Sequence, residues 1–241
     1  MLEARGVQMH FGGAMVLAGI DLTIAPNRLL GLIGPNGAGK TTLFNILTGF
    51  LRPTGGAILF NGREITGMAP EKRAMLGLAR TFQLVKAFEH LSVLENVMVG
   101  AFATTSNTRT ARTEAFGALE RVGLADQAQQ RPTTLPLPDR KRMELARCLA
   151  TRPKMLLLDE VMCGLNPTDM EQMIDLIKSL RAGGMTIVIV EHIIAAIAEL
   201  ADDLVVLASG QILARGEPRA VLNDDAVIEA YLGERFDDAA H

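Results

Sequence analysis

Three short runs of apolar or β-branched residues constrain the fold of this chain most strongly. They cover residues 155–158, 186–190 and 204–207. The stretch 168–181, between the first two runs, has helical spacing and ends before a pair of glycines. Continuous apolar runs that alternate with helices are typical of parallel strands that are buried on both faces. The chain is therefore predicted to be an α/β protein built on a parallel sheet.

The segment 84–154 has a different texture and is predicted to be mainly helical. Residues 106–123 carry helical spacing, and residues 141–150 have an apolar stripe of the same period. We interpret this segment as a helical subdomain inserted into an α/β core that residues 1–83 and 155–241 form. The length of 241 residues suits a single domain with such an insertion.

Composition and charge exclude several classes of function. The net charge of −3 offers no basic footprint, so no nucleic-acid partner is expected. Cys148 and Cys163 form neither a metal-type pair nor a disulfide framework, which fits a reducing compartment. The longest apolar runs are far below the ~18 residues that a membrane-spanning helix needs. We expect a protein that is soluble on its own and that could still dock onto a membrane protein.

The pattern Gly-x-x-x-x-Gly-Lys-Thr starts at Gly34 and predicts a phosphate-binding P-loop. Its glycines let backbone N–H groups wrap phosphate oxygens, Lys40 adds a positive charge near the β- and γ-phosphates, and the Thr41 hydroxyl can ligate Mg²⁺. The alternative is a chance glycine-rich turn, but the pattern follows a predicted strand (29–33) and opens a predicted helix (40–47). The nucleotide is expected to contact the whole loop: Gly34, Pro35, Asn36, Gly37, Ala38, Gly39, Lys40, Thr41 and Thr42.

Two acidic residues follow the apolar run 155–158. A carboxylate at the carboxyl end of a buried parallel strand lies at the ligand edge of the sheet. Asp159 is therefore a candidate Mg²⁺ ligand. Glu160 is a candidate to orient or deprotonate an attacking water. The alternative is an acidic strand end or helix cap without catalytic function, and the P-loop upstream favours the catalytic interpretation.

His192 leaves the end of the run 186–190. A single histidine is more often structural, but at the end of a buried strand in a nucleotide protein it can hydrogen-bond the γ-phosphate and orient water. We interpret the preceding Glu191 as a solvated strand end.

These elements, in this order, resemble the ATP-binding-cassette (ABC) ATPases over nearly the whole chain. The resemblance implies a P-loop NTPase fold of the ABC type, with a RecA-like core, an antiparallel β subdomain and an inserted helical subdomain. It implies that Phe11 stacks on adenine, although a core ring at a strand end would read alike. It also implies that Gln83 reaches Mg²⁺ and the attacking water, that His192 is the switch histidine, and that residues 164–167 form the D-loop.

Five segments resemble one branch of the family more selectively, the ATP-binding subunits of bacterial branched-chain amino-acid importers. Relatives that power lipopolysaccharide export share part of this set, which covers residues 11–13, 44–50, 80–83, 94–97 and 229–234. The resemblance implies a second ABC ATPase subunit, usually a different polypeptide, so that two subunits enclose two ATP molecules. It also implies membrane permease subunits, a periplasmic solute-binding protein acting indirectly, and a cytoplasmic location, peripheral on the inner membrane.

The signature loop departs from the family pattern Leu-Ser-Gly-Gly-Gln. The aligned stretch, residues 135–139, reads Leu-Pro-Leu-Pro-Asp, so it lacks the serine hydroxyl and both glycines, and Pro138 has no N–H to donate. Asp139 adds negative charge where a γ-phosphate would arrive, unless the basic residues 140–142 neutralise it. Alternatively, Pro138 and Asp139 simply begin and cap the helix. We therefore expect this loop to serve a partner's ATP poorly.

Two further classes of function stay open beside an importer ATPase. One is another ABC system, either an exporter or a soluble ABC ATPase that acts on macromolecules; the soluble kind usually needs a second cassette or long insertions that this chain does not contain. The other is a non-hydrolysing regulator, which only the altered signature favours. The presence of Gln83, Asp159, Glu160 and His192 argues against a regulator. The transported solute does not follow from the sequence.

Overall fold

The computed structural model describes residues 1–82 and 87–237, with side chains up to residue 231. The strands are β1 (Leu2–Phe11), β2 (Ala14–Ile24), β3 (Leu29–Ile33), β4 (Gly55–Phe60), β5 (Arg63–Glu64), β6 (Leu78–Arg80), β7 (Met155–Asp159), β8 (Thr186–Val190), β9 (Asp203–Ala208) and β10 (Gln211–Gly216). The α-helices are α1 (Lys40–Thr48), α2 (Pro70–Met75), α3 (Val93–Ala101), α4 (Thr108–Arg121), α5 (Leu137–Leu149), α6 (Pro167–Ala182), α7 (Ile194–Leu200), α8 (Pro218–Leu222) and α9 (Asp225–Asp237).

The chain divides into two compact units. Unit 1 comprises Met1–Pro70 and Gly184–His241, and unit 2 comprises Glu71–Gly183. In the part of the chain that the structure describes, no helix is both long and apolar enough to cross a membrane.

The core of unit 1 contains strands that are buried on both faces. β3 lies between β8 and β9 and pairs in parallel with each of them. Every residue of β3 and β8 is buried. This pattern accounts for the uninterrupted apolar runs, since neither face of these strands meets water. β10 closes the edge by pairing antiparallel with β9.

Unit 1 also holds an antiparallel sheet in the order β2-β1-β4-β5. Short apolar runs at residues 22–24 and 57–60 predict, from the sequence alone, the last residues of β2 and most of β4. The sequence does not predict β1, because three register shifts along the β1–β2 pair break the alternation of buried and exposed residues. Gly12, with φ 59°, lies in the turn between the two strands.

Unit 2 combines a short parallel pair with several helices. β6 pairs in parallel with β7, and Arg80 lies opposite Leu157 in the register. A capping box starts α3, since the Ser92 side chain accepts from the Glu95 N–H and the Glu95 carboxylate accepts from the Ser92 N–H. α3 approaches α5 very closely at Gly100, where an added Cβ atom would lie 2.1 Å from the carbonyl oxygen of Arg147.

Candidate functional site

Residues 34–39 connect the buried strand β3 to the start of α1, as a P-loop requires. Gly34 cannot carry a side chain, since a Cβ atom would lie 2.0 Å from the carbonyl oxygen of Leu207. Gly37 and Gly39 have φ angles of 74° and 100°, in the region that favours glycine. The glycines of the pattern are thus needed for the local backbone conformation and for close packing.

The first turn of α1 is open to an anion. Its N-cap residue is Gly39, which offers no side-chain acceptor, and the first turn contains no acidic residue. The N–H groups at a helix start lack intrahelical partners and attract negative charge. Asn36, Gly37 and Thr41 are exposed at this end of the loop.

Lys40 is 7% exposed and bends back over its own loop. Its Nζ donates to the carbonyl oxygens of Gly34 at 2.5 Å and Pro35 at 2.7 Å. The ammonium group therefore lies over the start of the loop, where it can exchange carbonyl oxygens for phosphate oxygens.

The turn between β9 and β10 is hydrogen-bonded to the P-loop. The Gly210 N–H donates to the carbonyl oxygen of Ala38, and the Gly210 carbonyl oxygen accepts from the Ala18 N–H. Gly210 has φ 74°, and a Cβ atom there would lie 2.4 Å from the carbonyl oxygen of Val16. A single glycine thus ties β2 to the P-loop, a role that the sequence analysis did not assign; its only sequence signal was the Ser-Gly pair after an apolar run.

Unit 1 also carries Phe11 and His192. Phe11 ends β1 and is 48% exposed, so the interpretation as a core ring is wrong. His192 is exposed and follows β8 with Glu191 in between. The interpretation of Glu191 as a solvated strand end is also wrong, because this residue is 2% exposed. Its position next to a fully buried strand takes the side chain out of water.

Asp159 and Glu160 belong to unit 2. Asp159 is the last residue of β7 and is 7% exposed. Glu160 follows with φ 49°, an unfavourable conformation for a residue with a side chain. The Lys141 ammonium group donates to the Glu160 carbonyl oxygen at 3.1 Å. Such strained residues, held in place by neighbours, cluster at active sites.

The segment 80–82 is attached to β7 by hydrogen bonds and an ion pair. The Thr81 N–H donates to the Leu157 carbonyl oxygen, and the Thr81 hydroxyl accepts from the Asp159 N–H. The Arg80 guanidinium forms an ion pair of 2.6 Å with the Asp159 carboxylate. Gln83 comes next in the chain and lies outside the described residues.

One face of α5 also forms hydrogen bonds with the segment 80–82. Lys141, Glu144 and Cys148 share this face by helical spacing. The Glu144 carboxylate accepts from the Phe82 N–H at 2.9 Å, and the Cys148 thiol donates to the Arg80 carbonyl oxygen. Burial raises the pKa of Glu144 above its usual value, although the bond from Phe82 and the charge of Arg147 oppose the shift. Sequence analysis did not identify these contacts, which connect residues 62 or more positions apart.

The altered signature loop leads straight into α5. Pro136 is the N-cap and Leu137 the first helical residue, so Pro138 and Asp139 lie in the first turn. The interpretation that they begin the helix is confirmed, whereas the interpretation that they cap it is wrong, because Pro136 occupies the N-cap position. Proline is tolerated there because the first N–H groups of a helix lack intrahelical acceptors.

Basic residues are arranged around this helix start. Arg142 lies 3.6 Å from the Asp139 carboxylate and neutralises it in part. Arg140 donates to the Leu135 carbonyl oxygen at 3.0 Å. The D-loop candidate, residues 164–167, opens α6, where Asn166 caps the helix by accepting from the Asp169 N–H.

A metal ion would find only part of a coordination shell in the protein. Within the described ranges, no group of three or more His, Cys, Asp or Glu side chains could hold one. Mg²⁺ in nucleotide sites commonly takes one or two protein oxygens and completes its shell with phosphate oxygens and water. The Asp159 carboxylate and the exposed Thr41 hydroxyl are hard oxygen donors of this kind. The donor chemistry fits a magnesium ion that arrives with a nucleotide.

Comparison with known proteins identifies the family. The family model described as "ABC transporter" matches residues 17–162, more than half of the chain. A second model, "Branched-chain amino acid ATP-binding cassette transporter", matches residues 211–237.

The high-affinity branched-chain amino acid transport ATP-binding protein LivG of Escherichia coli K12 is 39% identical over 97% of this chain and 98% of its own. The corresponding protein BraF of Pseudomonas aeruginosa is also 39% identical, with the same coverage. The lipopolysaccharide export system ATP-binding protein LptB of Haemophilus influenzae is 32% identical over 98% of both chains.

Solved structures confirm the predicted fold class. A nucleotide-free ATP-binding cassette from an ABC transporter superposes with a TM-score of 0.88 at 29% identity, covering 96% of this chain and 98% of its own. The ADP conformation of an ATP-binding cassette has the same TM-score at 30% identity, covering 97% and 98%. The resemblance noted in the sequence is thereby confirmed, and with it the expectation of a nucleotide-binding ATPase. The chain belongs to the ABC transporter family, as one of its ATP-binding cassettes.

Proposed function

We propose that this chain is the ATP-hydrolysing subunit of a membrane importer for branched-chain amino acids or related small polar solutes. The observation that carries the proposal is the complete P-loop of unit 1, in a chain that aligns end to end with LivG and BraF. The match of residues 211–237 to the branched-chain cassette model supports the same solute class.

The nucleotide is ATP with Mg²⁺. Phe11 stacks on adenine, and the loop from Gly34 to Thr42 binds the phosphates. Thr41 and Asp159, with Gln83, hold the metal ion, whose charge offsets negative charge on the phosphates. The exposed ring of Phe11 and the uncapped start of α1 support these roles.

Hydrolysis uses the residues that follow the ends of buried strands. Glu160 orients or deprotonates the attacking water, and its positive φ angle, held by Lys141, supports a positioned base. His192 hydrogen-bonds the γ-phosphate, and its exposed position close to the end of β8 supports this role. Gln83 completes the set by orienting the same water.

The full transporter contains a second, different ABC ATPase subunit. Residues 84–154 act as the helical signature subdomain, and residues 1–83 and 155–241 as the nucleotide-binding core. The loop 135–139 has neither the hydroxyl nor the glycines of a working signature, which supports pairing with a subunit that supplies a better one. Two permease subunits carry the solute, and a periplasmic binding protein delivers it. The cassette lies on the cytoplasmic face of the inner membrane.

Solute uptake tests the proposed function. The chain and its neighbouring genes are expressed in cells without their own branched-chain importer, and uptake of radiolabelled leucine is measured. We expect Lys40→Ala and Glu160→Gln to reduce uptake to background while the protein level stays normal. Glu217→Gln, on the exposed N-cap of α8, serves as the control and keeps uptake. Normal uptake with Lys40→Ala would exclude the proposed role.

Paired glutamate variants test the asymmetry. The Glu160→Gln change and its counterpart in the partner subunit are introduced one at a time into the reconstituted transporter. We expect the Glu160→Gln change to remove most ATPase activity and the partner's change to remove little. Equal losses would contradict the asymmetry and leave the ATPase assignment intact.

Export of lipopolysaccharide is the second candidate, because LptB is also similar over the whole chain. The lower identity of 32%, against 39% for LivG, favours the importer. Rescue of an LptB-depleted strain without rescue of leucine uptake would favour export instead.

A further inference from the structure

Arg80 and Asp159 end two neighbouring parallel strands of unit 2. The guanidinium Nη2 atom lies 2.6 Å from the Asp159 Oδ2 atom. Their side chains are only 8% and 10% exposed. Little water screens these two opposite charges, so their direct attraction is stronger than in an exposed ion pair, although their burial costs desolvation. Asp159 therefore already has a cationic partner within its own unit.

The ion pair competes with metal binding. The proposed Mg²⁺ ligand is this same carboxylate, and a guanidinium occupies one of its oxygens. A divalent ion beside Asp159 would also face the positive charge of Arg80 at short range in a poorly solvated place. Repulsion between the two cations therefore favours withdrawal of the Arg80 side chain when Mg²⁺ binds to Asp159.

Arg80 is connected to the rest of unit 2 through its backbone and its neighbour. Its carbonyl oxygen accepts from the buried Cys148 thiol, and its guanidinium carbon lies 5.3 Å from the centre of the Phe82 ring. The Phe82 N–H donates to Glu144 of α5. Arg80 is the first residue of the segment 80–82, which leads directly into Gln83. A movement of its side chain would therefore alter contacts within this segment.

We propose that Arg80 is the counter-cation of Asp159 in the metal-free protein and that Mg²⁺ must displace it. This inference rests on the proposed role of Asp159 as a metal ligand. Arg80 is a positioning residue: it keeps the carboxylate neutralised until a nucleotide brings the metal ion, and its departure changes the segment before Gln83. When a nucleotide binds without a metal ion, the ion pair between Arg80 and Asp159 stays intact.

Metal affinity gives the first test. Free Mn²⁺ is measured by electron paramagnetic resonance while Mn²⁺ is added to the full-length protein with ADP. Arg80→Gln is expected to bind Mn²⁺ about tenfold more tightly than the wild type, within the range of ordinary coupling between sites. Arg80→Lys keeps a positive charge beside Asp159 and is expected to stay closer to the wild type than Arg80→Gln does. Arg152→Gln, which removes the exposed ion pair with Glu114, is the matched control and leaves affinity unchanged.

Asp159→Asn separates the failure of this inference from failure of the proposed metal site. We expect this variant to bind Mn²⁺ at least tenfold more weakly, in line with the loss of a direct ligand. If Asp159→Asn binds Mn²⁺ as tightly as the wild type, the proposed role of Asp159 as a metal ligand is wrong. Weaker affinity in Asp159→Asn together with unchanged or weaker affinity in Arg80→Gln would overturn displacement, because Arg80 would then orient the ligand instead of competing for it.

The wild-type protein gives an independent test if Arg80→Gln does not fold. Arginine side chains are labelled with ¹⁵N, and the Arg80 guanidinium signal is identified by its change in Asp159→Asn. Addition of ADP with Mg²⁺ is expected to shift this signal toward its position in Asp159→Asn, whereas ADP with a chelator is expected to leave it in place. A signal that does not respond to Mg²⁺ would overturn the proposal.

Discussion

Replacing Gly100 with alanine tests how closely α3 and α5 pack in unit 2. Gly100 is the next-to-last residue of α3 and is buried. A methyl group there would lie 2.1 Å from the carbonyl oxygen of Arg147, whereas ordinary contact begins at 3.4 Å. The obstacle is backbone, so a change of side-chain rotamer cannot relieve it. The two helices must therefore move apart locally.

The expected cost follows from two opposing contributions. Overpacking of a well-packed core costs up to ~3 kcal/mol when backbone has to shift. Alanine favours a helix over glycine by ~1 kcal/mol, which offsets part of this cost. The net loss in the free energy of unfolding is then about 2 kcal/mol, which lowers Tm by about 4–8 °C in a chain of this size.

Gly117→Ala provides the matched control for this measurement. Gly117 lies inside α4, and an added Cβ atom there would meet nothing within 4 Å. The same substitution is therefore expected to raise Tm by about 2–4 °C through helix propensity alone. Thermal unfolding is followed by circular dichroism at 222 nm, as is usual for helices, and urea midpoints are measured in parallel. Equal shifts of the same sign in both variants would refute the reasoning from close packing.

Three further predictions concern individual side chains. Gly34→Ala is expected to weaken binding of a fluorescent ATP analogue at least tenfold in a titration, because the loop must move to admit a methyl group. The carboxyl of Glu144, with its raised pKa, contributes stability that is complete below the ordinary value of 4.5 and is lost as pH rises through the higher folded value. Glu144→Gln keeps an acceptor for the Phe82 N–H and is expected to remove this pH dependence of the urea midpoint. Burial raises the pKa of Cys148 to about 12, so iodoacetamide is expected to label the exposed Cys163 and spare Cys148, as measured by mass spectrometry of peptides.

The buried parallel strands were the most predictable part of the fold. β3 and β8 match the predicted runs residue for residue, and β7 and β9 extend theirs by one or two residues. A strand that is covered on both faces leaves an uninterrupted apolar run, and its short length and β-branched residues distinguish it from a buried helix. The P-loop was equally predictable from the sequence, because its glycines are required by the local backbone conformation and close packing.

The antiparallel strand β1 could not be read in the same way. Gly6, with φ 54°, and the register shifts along its pairing with β2 break the alternation on which strand prediction depends. β6 has only three residues, too few for any periodic pattern. Such interruptions cannot be predicted from the local sequence, because they depend on how the strand pairs with its neighbour.

Contacts between distant parts of the chain were also invisible in the sequence. The ion pair of Arg80 with Asp159 spans 79 positions and depends on the register of β6 against β7. The burial of Glu191 is likewise set by what packs around β8. Residue type placed Asp159, Glu160 and His192 at strand ends, but only tertiary structure shows which charges are paired and which are withdrawn from water.

The single glycine that ties β2 to the P-loop has a practical consequence for engineering. Short hairpin turns are usually the safest sites for inserting a peptide tag. The turn at Asn61 and Gly62 fits this rule, because nothing lies within 4 Å of an added Cβ atom at Gly62. The turn at Gly210 does not, since its N–H and carbonyl groups hold Ala38 and Ala18. An epitope or fluorophore site at residues 61–62 should keep ATP binding, whereas the same insertion at residues 209–210 should abolish it.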